Sequence, residues 1–462
     1  MENNRELFEK TPVAKALATL AVPTIISQLI TMVYNLADTF FIGTTNDPSK
    51  IAASSVAFVL VFAMNCLSNL FGVGGGSLIS RLLGEKKDGD AASVASFSFW
   101  GSLAISAVYS IVIFVFMEPF LRFLGATDSS LAYAEDYALW VVVIGAVPST
   151  LGMTMSHLLR SEGYAKYASI GLGFGGVLNI ILDPLFMFVI LEPGDEVAGA
   201  AIATFVSNVA VLIYFLAVYA AIKKKTVLSI SPKIMIPKKH YIYSVFAVGF
   251  PSALGSALAC LASIMINNLT ASYSDVYGDV PVAAVGIAKK IDMLPMNVGM
   301  GLCQGMMPLV AYNFSARNYK RMKSFTNTAR FWGIAFSAIC IVIFEIFAEP
   351  IVRIFINEPA TVDMTTNFLR IMYLAVPLMI TNFQLSFTFQ AMGMGKQSLF
   401  LSSLRQGLIN IPLLFLMKYL FGLYGIIWTQ LISDVITTVI SFIVYGYTYK
   451  KLNANSEVET DD

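Results

Sequence analysis

Charge is scarce in this chain of 462 residues. Charged side chains make up only 13% of the sequence, about half the share that is usual in soluble globular domains. Hydrophobic residues make up 57%, and the mean hydropathy is +0.72. These proportions exclude an ordinary soluble domain and predict a protein whose solvent is the lipid bilayer.

The residues and motifs of common enzymes are also few. Only His157 and His240 offer an imidazole, and the cysteines are scattered through apolar runs without metal-binding spacing. The nucleotide-binding pattern GxxxxGKS/T, the zinc pattern HExxH and the serine pattern GxSxG are missing. We therefore predict no enzyme activity, no cofactor and no nucleic-acid partner, and we do not expect nucleotide hydrolysis to supply energy.

Long apolar runs dominate what is present. About twelve of them, each of roughly 20 residues or more, are separated by short polar breaks, and each can cross about 30 Å of hydrocarbon. We interpret the runs as helices, because lipid offers the backbone no other hydrogen-bond partner. The predicted fold class is an all-α integral membrane protein with about twelve transmembrane helices.

The second half of the chain repeats the first. Related positions lie roughly 226 to 232 residues apart, an offset too steady for chance. Clear pairs are Pro23 with Pro251, Trp100 with Trp332, Arg122 with Arg353, and Asn179 with Asn410. An even number of spans returns the chain to its starting side, so we expect two six-helix bundles related by a pseudo-two-fold axis along the membrane normal. This duplication is typical of transporters.

The repeat and the charges divide the chain into four parts. We predict a first six-helix lobe over residues 1–222, a basic cytoplasmic linker over 223–239, a second six-helix lobe over 240–450 and a disordered acidic tail over 451–462. With the amino end inside, the inner segments hold about 21 basic residues and the outer loops about 4. Both termini are therefore predicted to be cytoplasmic.

Acidic residues inside the first lobe are the main functional signal. Asp38 lies well inside the first span and Asp183 inside the fifth, and each costs about 2.5 to 3.5 kcal/mol at mid-membrane. Asn179 lies one turn before Asp183, and Thr204 is on the sixth span. Pro184 predicts a kink or a free carbonyl beside the carboxylate. Such oxygens suit either a hard cation or a proton.

Comparison of the two halves favours a function for these acids over a packing role. Asp38 corresponds to Ile266 in the second half, and Asp183 corresponds to Leu414. If packing of each bundle required the acids, the second copy would carry them too. We therefore expect a specialised ion site in the first lobe only.

At these residues the chain resembles the multidrug and toxin extrusion (MATE) transporters, most of all the bacterial branch with MepA-type and DinF-type members. The resemblance covers nearly the whole chain, from Phe8 to about Lys451. The motifs that carry it are Asp38-Thr-Phe-Phe-Ile-Gly43, Phe71-Gly-Val-Gly-Gly-Gly-Ser77, Ser80-Arg-Leu-Leu-Gly84, Asn179-Ile-Ile-Leu-Asp183-Pro184 and Met307-Pro308-Leu-Val-Ala-Tyr-Asn313.

The resemblance implies a V-shaped pair of bundles in a bacterial cytoplasmic membrane, which export lipophilic cations in exchange for sodium or protons. The family's ion-binding positions match Asp38, Asn179, Asp183 and Thr204, which would be metal ligands only if the coupling ion is sodium. The acidic residue that the NorM-type branch carries in the seventh span is absent from 253–270. No coupling site is therefore expected in the second lobe.

Substrate contacts are predicted from the adaptable and charged side chains near mid-membrane. The candidates are Tyr34, Asp292, Met293, Phe383 and Gln384. Lys289, three residues before Asp292, has two open readings, since it either pairs with Asp292 on one helix face or lines the cavity and favours an anionic substrate.

Our leading hypothesis is an antiporter, active as a monomer in membrane lipid, that exports lipophilic organic cations or drugs and thereby confers drug resistance. The alternative is a flippase for lipids or lipid-linked precursors. A basic central cavity would favour the flippase, and its candidate residues are Lys289, Lys290, Arg370 and Arg405. A third hypothesis, a membrane scaffold that transports nothing, has no soluble interaction domain to support it.

Overall fold

The computed structural model describes residues 2–45, 47–278 and 280–458, which form two lobes of six membrane helices. The first lobe contains α1 (Val13–Gly43), α2 (Pro48–Gly84), α3 (Asp88–Val115), α4 (Leu131–Ile144 and Ala146–Ser161), α5 (Ala165–Ile190) and α6 (Glu196–Ile222). The second contains α7 (Lys239–Ala271), α8 (Val280–Ser315), α9 (Tyr319–Arg353), α10 (Pro359–Ala391), α11 (395–421) and α12 (423–458). The predicted all-α architecture of two six-helix bundles is confirmed.

Length and composition alone identify most of these spans. Among the described residues, nine helical stretches are long and apolar enough to cross a bilayer, and the bent pair in α4 makes ten. The stretch Gly395–Leu452 counts once, but Gly422, with φ 64° and ψ −140°, divides it into α11 and α12. α8 completes the set of twelve, although Lys289, Lys290 and Asp292 lower its hydropathy.

The outer faces of the helices are apolar and exposed. Phe331 on α9 is 69% exposed and Ile213 on α6 is 61% exposed. Aromatic and branched side chains at this exposure are expected where a helix surface meets lipid tails instead of water. Polar side chains within each lobe instead face the interior of that lobe.

The lobes touch most closely in the half of the molecule that holds the amino terminus and the linker between the lobes. A β-carbon on Gly249 of α7 would lie 1.9 Å from the carbonyl oxygen of Leu70 on α2. A β-carbon on Gly305 of α8 would lie 2.4 Å from the α-carbon of Ala21 on α1. Only glycine therefore permits this approach of the four helices, which is the way small residues act in membrane helix packing.

Two segments outside the membrane helices bind to the bundle at the same end. In the amino-terminal helix Glu2–Glu9, Arg5 pairs with Asp88 of α3 at 2.7 Å, while the Phe8 ring stacks on Tyr312 of α8 at 4.8 Å between ring centroids. In the linker, the carbonyl of Ile230 accepts a 3.0 Å hydrogen bond from the Trp100 indole of α3. Both segments are thus fixed to the bundle.

The end of the chain is described only in part. α12 is helical to Val458, through the first eight residues of the segment 451–462 that we predicted to be a disordered tail. Residues 459–462 lie outside the described part of the chain.

Candidate functional site

Four polar side chains meet inside the first lobe. Asn179 Nδ2 donates a hydrogen bond to Asp183 Oδ1 at 3.1 Å, and the same nitrogen lies 3.3 Å from Thr204 Oγ1 on α6. Asp38 of α1 is near enough to Asp183 for the two carboxylates to interact electrostatically. Asp183 is 0% exposed and Asn179 is 2% exposed. Three of the four residues predicted for ion binding are thus joined by hydrogen bonds, and Asp38 lies on α1, which packs against α5.

Local sequence explains how α5 presents its part of this cluster. Asn179 and Asp183 are four residues apart, so they share one face of the helix. Pro184 has no N–H to donate to the carbonyl of Ile180, and the helix changes to π-helical hydrogen bonding over Phe186–Ile190. The backbone irregularity predicted beside Asp183 is thus present.

Several atoms of the cluster have no hydrogen-bond partner among the described residues. They are Asp38 Oδ1, Asn179 Oδ1, Asp183 Oδ2 and the hydroxyl of the neighbouring Ser207. Buried polar atoms are nearly always satisfied, so unpartnered oxygens indicate a species that fills the gap, such as a proton, a cation or water. The described residues contain no group of three His, Cys, Asp or Glu that could hold a metal ion. The unpartnered atoms of this cluster are all oxygens, which are the ligand atoms that hard cations prefer.

A cavity leads to this cluster within the first lobe. Tyr34, a predicted substrate contact, lines it together with Asn179 and Thr204. Asn65, Ser207 and Asn208 add further polar groups. The cluster is therefore reached through a space that can hold water or a small ligand.

The equivalent region of the second lobe contains a positively charged side chain, Arg405. The Arg405 guanidinium lies 2.6 Å from the Asp434 carboxylate, with both side chains buried. Gln430 donates to the same carboxylate at 2.8 Å and accepts from Asn410, the repeat partner of Asn179, at 3.1 Å. The Arg405 guanidinium also lies over the Phe383 ring, 4.6 Å from its centroid. Here an arginine neutralises the buried acid.

Replacing Asp434 with leucine should destabilise the protein strongly, because it leaves the buried Arg405 unpaired. Breaking a buried ion pair costs about 3 to 5 kcal/mol. We expect a clear fall of Tm for the purified protein in detergent. In the matched control, Glu345→Gln removes the exposed partner of Arg370 at 3.7 Å, a pair worth about 0 to 1 kcal/mol, and Tm should barely change. An unchanged Tm for Asp434→Leu would contradict this account of the pair.

A larger cavity lies between the lobes. Amides, hydroxyls and apolar side chains form most of its wall, and the predicted contact Phe383 is among them. Arg160 of α4 and Arg405 of α11 are its charged lining residues in the described part of the chain, His157 adds an imidazole, and no Asp or Glu of that part lines it. We call this space the central cavity.

Other predicted substrate contacts lie elsewhere. Gln384 is 1% exposed, and its side-chain oxygen accepts from Arg330 at 3.2 Å, so it belongs to the interior of the second lobe instead of a cavity wall. Asp292 interacts electrostatically with Arg405 and Asp434, and neither it nor Met293 lines the described cavities. Of the five predicted substrate contacts, Tyr34 and Phe383 are the two that line a described cavity.

The basic residues of the second lobe also differ from expectation. Lys289 does not pair with Asp292, because its ammonium donates to the Ser263 carbonyl at 3.1 Å and to Asn267 at 2.8 Å on α7. Lys290 and Arg370 are exposed. Of the four residues named for a basic cavity, Arg405 alone lines the described central cavity.

Sequence reasoning missed Arg160 and Gln304 as cavity residues. Arg160 lies near the end of α4, where a basic residue usually marks only the membrane surface. The signal that could have identified it is the polar series His157, Arg160 and Gln304 in otherwise apolar helices.

Comparison with known proteins bears on this architecture. The profile of the MatE family matches residues 23–185 and 251–416, one match in each lobe. The chain belongs to the MATE family. It is 34% identical to the multidrug export protein MepA of Staphylococcus aureus, over 92% of each chain. It is 32% identical to MepA of Staphylococcus saprophyticus, over 95% of this chain and 94% of the relative.

MATE structures also share the fold. A solved outward-facing conformation of a multidrug resistance MATE family transporter superposes with a TM-score of 0.91 at 23% identity, covering 98% of this chain and 99% of the other. The family resemblance seen in the sequence is therefore confirmed, and so is the multi-pass membrane character of the chain. MATE is a family of transporters and not of enzymes.

Proposed function

We propose that this chain is a secondary active antiporter that exports lipophilic drugs, organic cations among them, in exchange for protons or sodium ions. The observation that carries the proposal is the first-lobe cluster, where two carboxylates share a buried site and one oxygen of each has no partner. The relatives named as multidrug export proteins support the substrate class. An isolated pair of buried carboxylates is costly unless a proton or cation joins it.

In this mechanism Asp38, Asn179, Asp183 and Thr204 hold the coupling ion. Movement of one charge through about 100 mV supplies about 2.3 kcal/mol, enough for about a fifty-fold substrate gradient. Ion and substrate drive exchange only if each favours a different facing state of the lobes. The first-lobe cavity connects the ion site to Tyr34, so a cationic substrate and the ion can compete for the same negative charge.

We further propose that both termini are cytoplasmic, in a bacterial cytoplasmic membrane, and that one chain is the working unit. The asymmetry of basic residues supports the orientation. The glycine contacts that join the lobes lie in the half with the amino terminus and the linker, so in this orientation the structure is closed toward the cytoplasm. The internal repeat supplies the paired lobes without a second copy.

Efflux of a fluorescent lipophilic cation from proteoliposomes tests the proposal. Proton and sodium gradients are imposed separately at matched membrane potential. We expect efflux to follow one of the two gradients and to stop when that gradient is collapsed. Efflux equal to that of protein-free liposomes under both gradients would reject the antiporter.

Three of the four residues named for the flippase alternative do not line the described central cavity. The flippase calls for a basic cavity, and of its four proposed residues only Arg405 lines the central cavity, where Asp434 neutralises it at 2.6 Å. Lys289 is held by α7.

A further inference from the structure

Arg160 is a buried cation that the proposed ion site does not use. Its side chain is 4% exposed and lines the central cavity near the end where the lobes are in contact. Only one of its three nitrogens is engaged, since Nη1 donates to Gln304 Oε1 at 3.1 Å. Nε and Nη2 are buried and have no hydrogen-bond partner among the described residues.

No described acid compensates this charge. The carboxylate closest in sequence, Glu162, accepts from the backbone N–H of Val227 at 2.8 Å and from the Thr226 hydroxyl, so it serves the linker. An uncompensated buried charge is expensive, and two orphan donors add to the cost. A buried arginine with unpaired donors inside a membrane bundle indicates a role in ligand binding in preference to a role in packing.

The surroundings of Arg160 define the chemistry of that ligand. His157 and Gln304 lie on either side, and Phe387 and Met307 supply apolar and aromatic surface in the adjoining space. Two free N–H groups of one guanidinium match the two oxygens of a carboxylate or phosphate. The rest of the central cavity is wide and lined largely by apolar groups, amides and hydroxyls.

On this geometry we propose that the central cavity recognises an acidic group at Arg160, and that preferred substrates are amphiphiles with a carboxylate or phosphate. This inference rests on the proposed export function, but the binding that it describes can be measured without an ion gradient. Zwitterions suit both cavities, since their acidic group binds Arg160 in the central cavity while their cationic group is free to approach the first-lobe acids. The two cavities thus select opposite charges.

Binding of two matched dyes to the purified protein tests this inference. A rhodamine with a free carboxyl group and its methyl ester share the same cationic ring system and differ only in the acid. We expect the wild type to bind the free acid roughly tenfold more tightly, as measured by fluorescence polarisation. Arg160→Gln should abolish this preference, and Arg160→Lys should keep part of it, because a lysine retains the charge without the paired donors.

Controls separate this outcome from loss of fold and from failure of transport. Arg353→Gln removes an exposed arginine of equal charge, which pairs with Glu349 at 2.8 Å, and should keep the wild-type preference. Unchanged binding of the ester by Arg160→Gln shows that the variant is folded. Equal affinity of the wild type for acid and ester, or a preference that survives in Arg160→Gln, would overturn the inference. Neither result depends on whether the gradient experiment succeeds.

A competition experiment identifies the source of the acidic amphiphile. Phosphatidylglycerol is added to the detergent-solubilised protein while the acidic dye is bound. Displacement that is lost in Arg160→Lys assigns the site to an anionic lipid from the bilayer. Retention of the dye at excess lipid assigns it to a free organic acid.

Discussion

Gradient-driven efflux should fall to the rate of protein-free liposomes when Asp183 is replaced by asparagine. The substitution preserves size and hydrogen bonding to Asn179 but removes a negative charge from a side chain that is 0% exposed. Without that charge the site loses the electrostatic attraction that favours binding of a proton or a sodium ion. Efflux is measured in proteoliposomes under whichever gradient drives the wild type.

The matched control for this variant is Asp363→Asn, an equal change of charge at an exposed position of α10. It should export at the wild-type rate. Both variants should reconstitute in equal amounts, because the asparagine at 183 removes the cost of a buried charge. Wild-type efflux by Asp183→Asn would show that coupling does not pass through the first-lobe cluster.

A leucine at Gly249 should also abolish transport, for a mechanical reason. A β-carbon there would lie 1.9 Å from the carbonyl oxygen of Leu70, so α2 and α7 must separate. The closed end of the molecule then cannot form, and the lobes stay in states that are open on that side. Since exchange requires both facing states, efflux should drop to background even with an intact ion site.

Two measurements distinguish this effect from general damage. Gly286→Leu is the control, because a β-carbon at Gly286 meets nothing within 4 Å, and its efflux should be normal. A single cysteine is introduced at Asn69 of the central cavity after the four native free cysteines are replaced by serine. Its labelling by an impermeant thiol reagent should increase from the closed side in Gly249→Leu. Normal efflux together with unchanged labelling would show that the Gly249 contact is not required for closure.

The sequence predicted the architecture well because lipid restricts the choices. Apolar runs and a steady repeat are enough to define twelve helices in two lobes, since only helices satisfy the backbone in hydrocarbon. The first-lobe cluster was predictable for a related reason. Asp183 and Asn179 share a face by spacing, and acids inside the membrane are rare enough to indicate function.

Contacts between distant helices were not predictable in the same way. Arg405 and Asp434 pair across 29 residues, and nothing in the periodicity of α11 or α12 indicates that their side chains meet. Lys289 bonds to α7 and not to Asp292, because a long side chain reaches a neighbouring helix as easily as its own. Arg160 was overlooked for want of the tertiary contacts that leave its nitrogens without partners.

The arginine of the second lobe limits how the proposed cycle can use the membrane potential. The Asp434 carboxylate is paired with the guanidinium of Arg405, a side chain of the same lobe. This cation therefore cannot exchange with the solution on either side of the membrane. The coupling charge of the proposed cycle is then that of the first-lobe cluster. Its two carboxylates set an upper limit of two monovalent ions per turnover, worth about 4.6 kcal/mol through about 100 mV. In the proposed cycle the first-lobe cluster therefore carries the exchangeable ions, and the Arg405–Asp434 pair exchanges none.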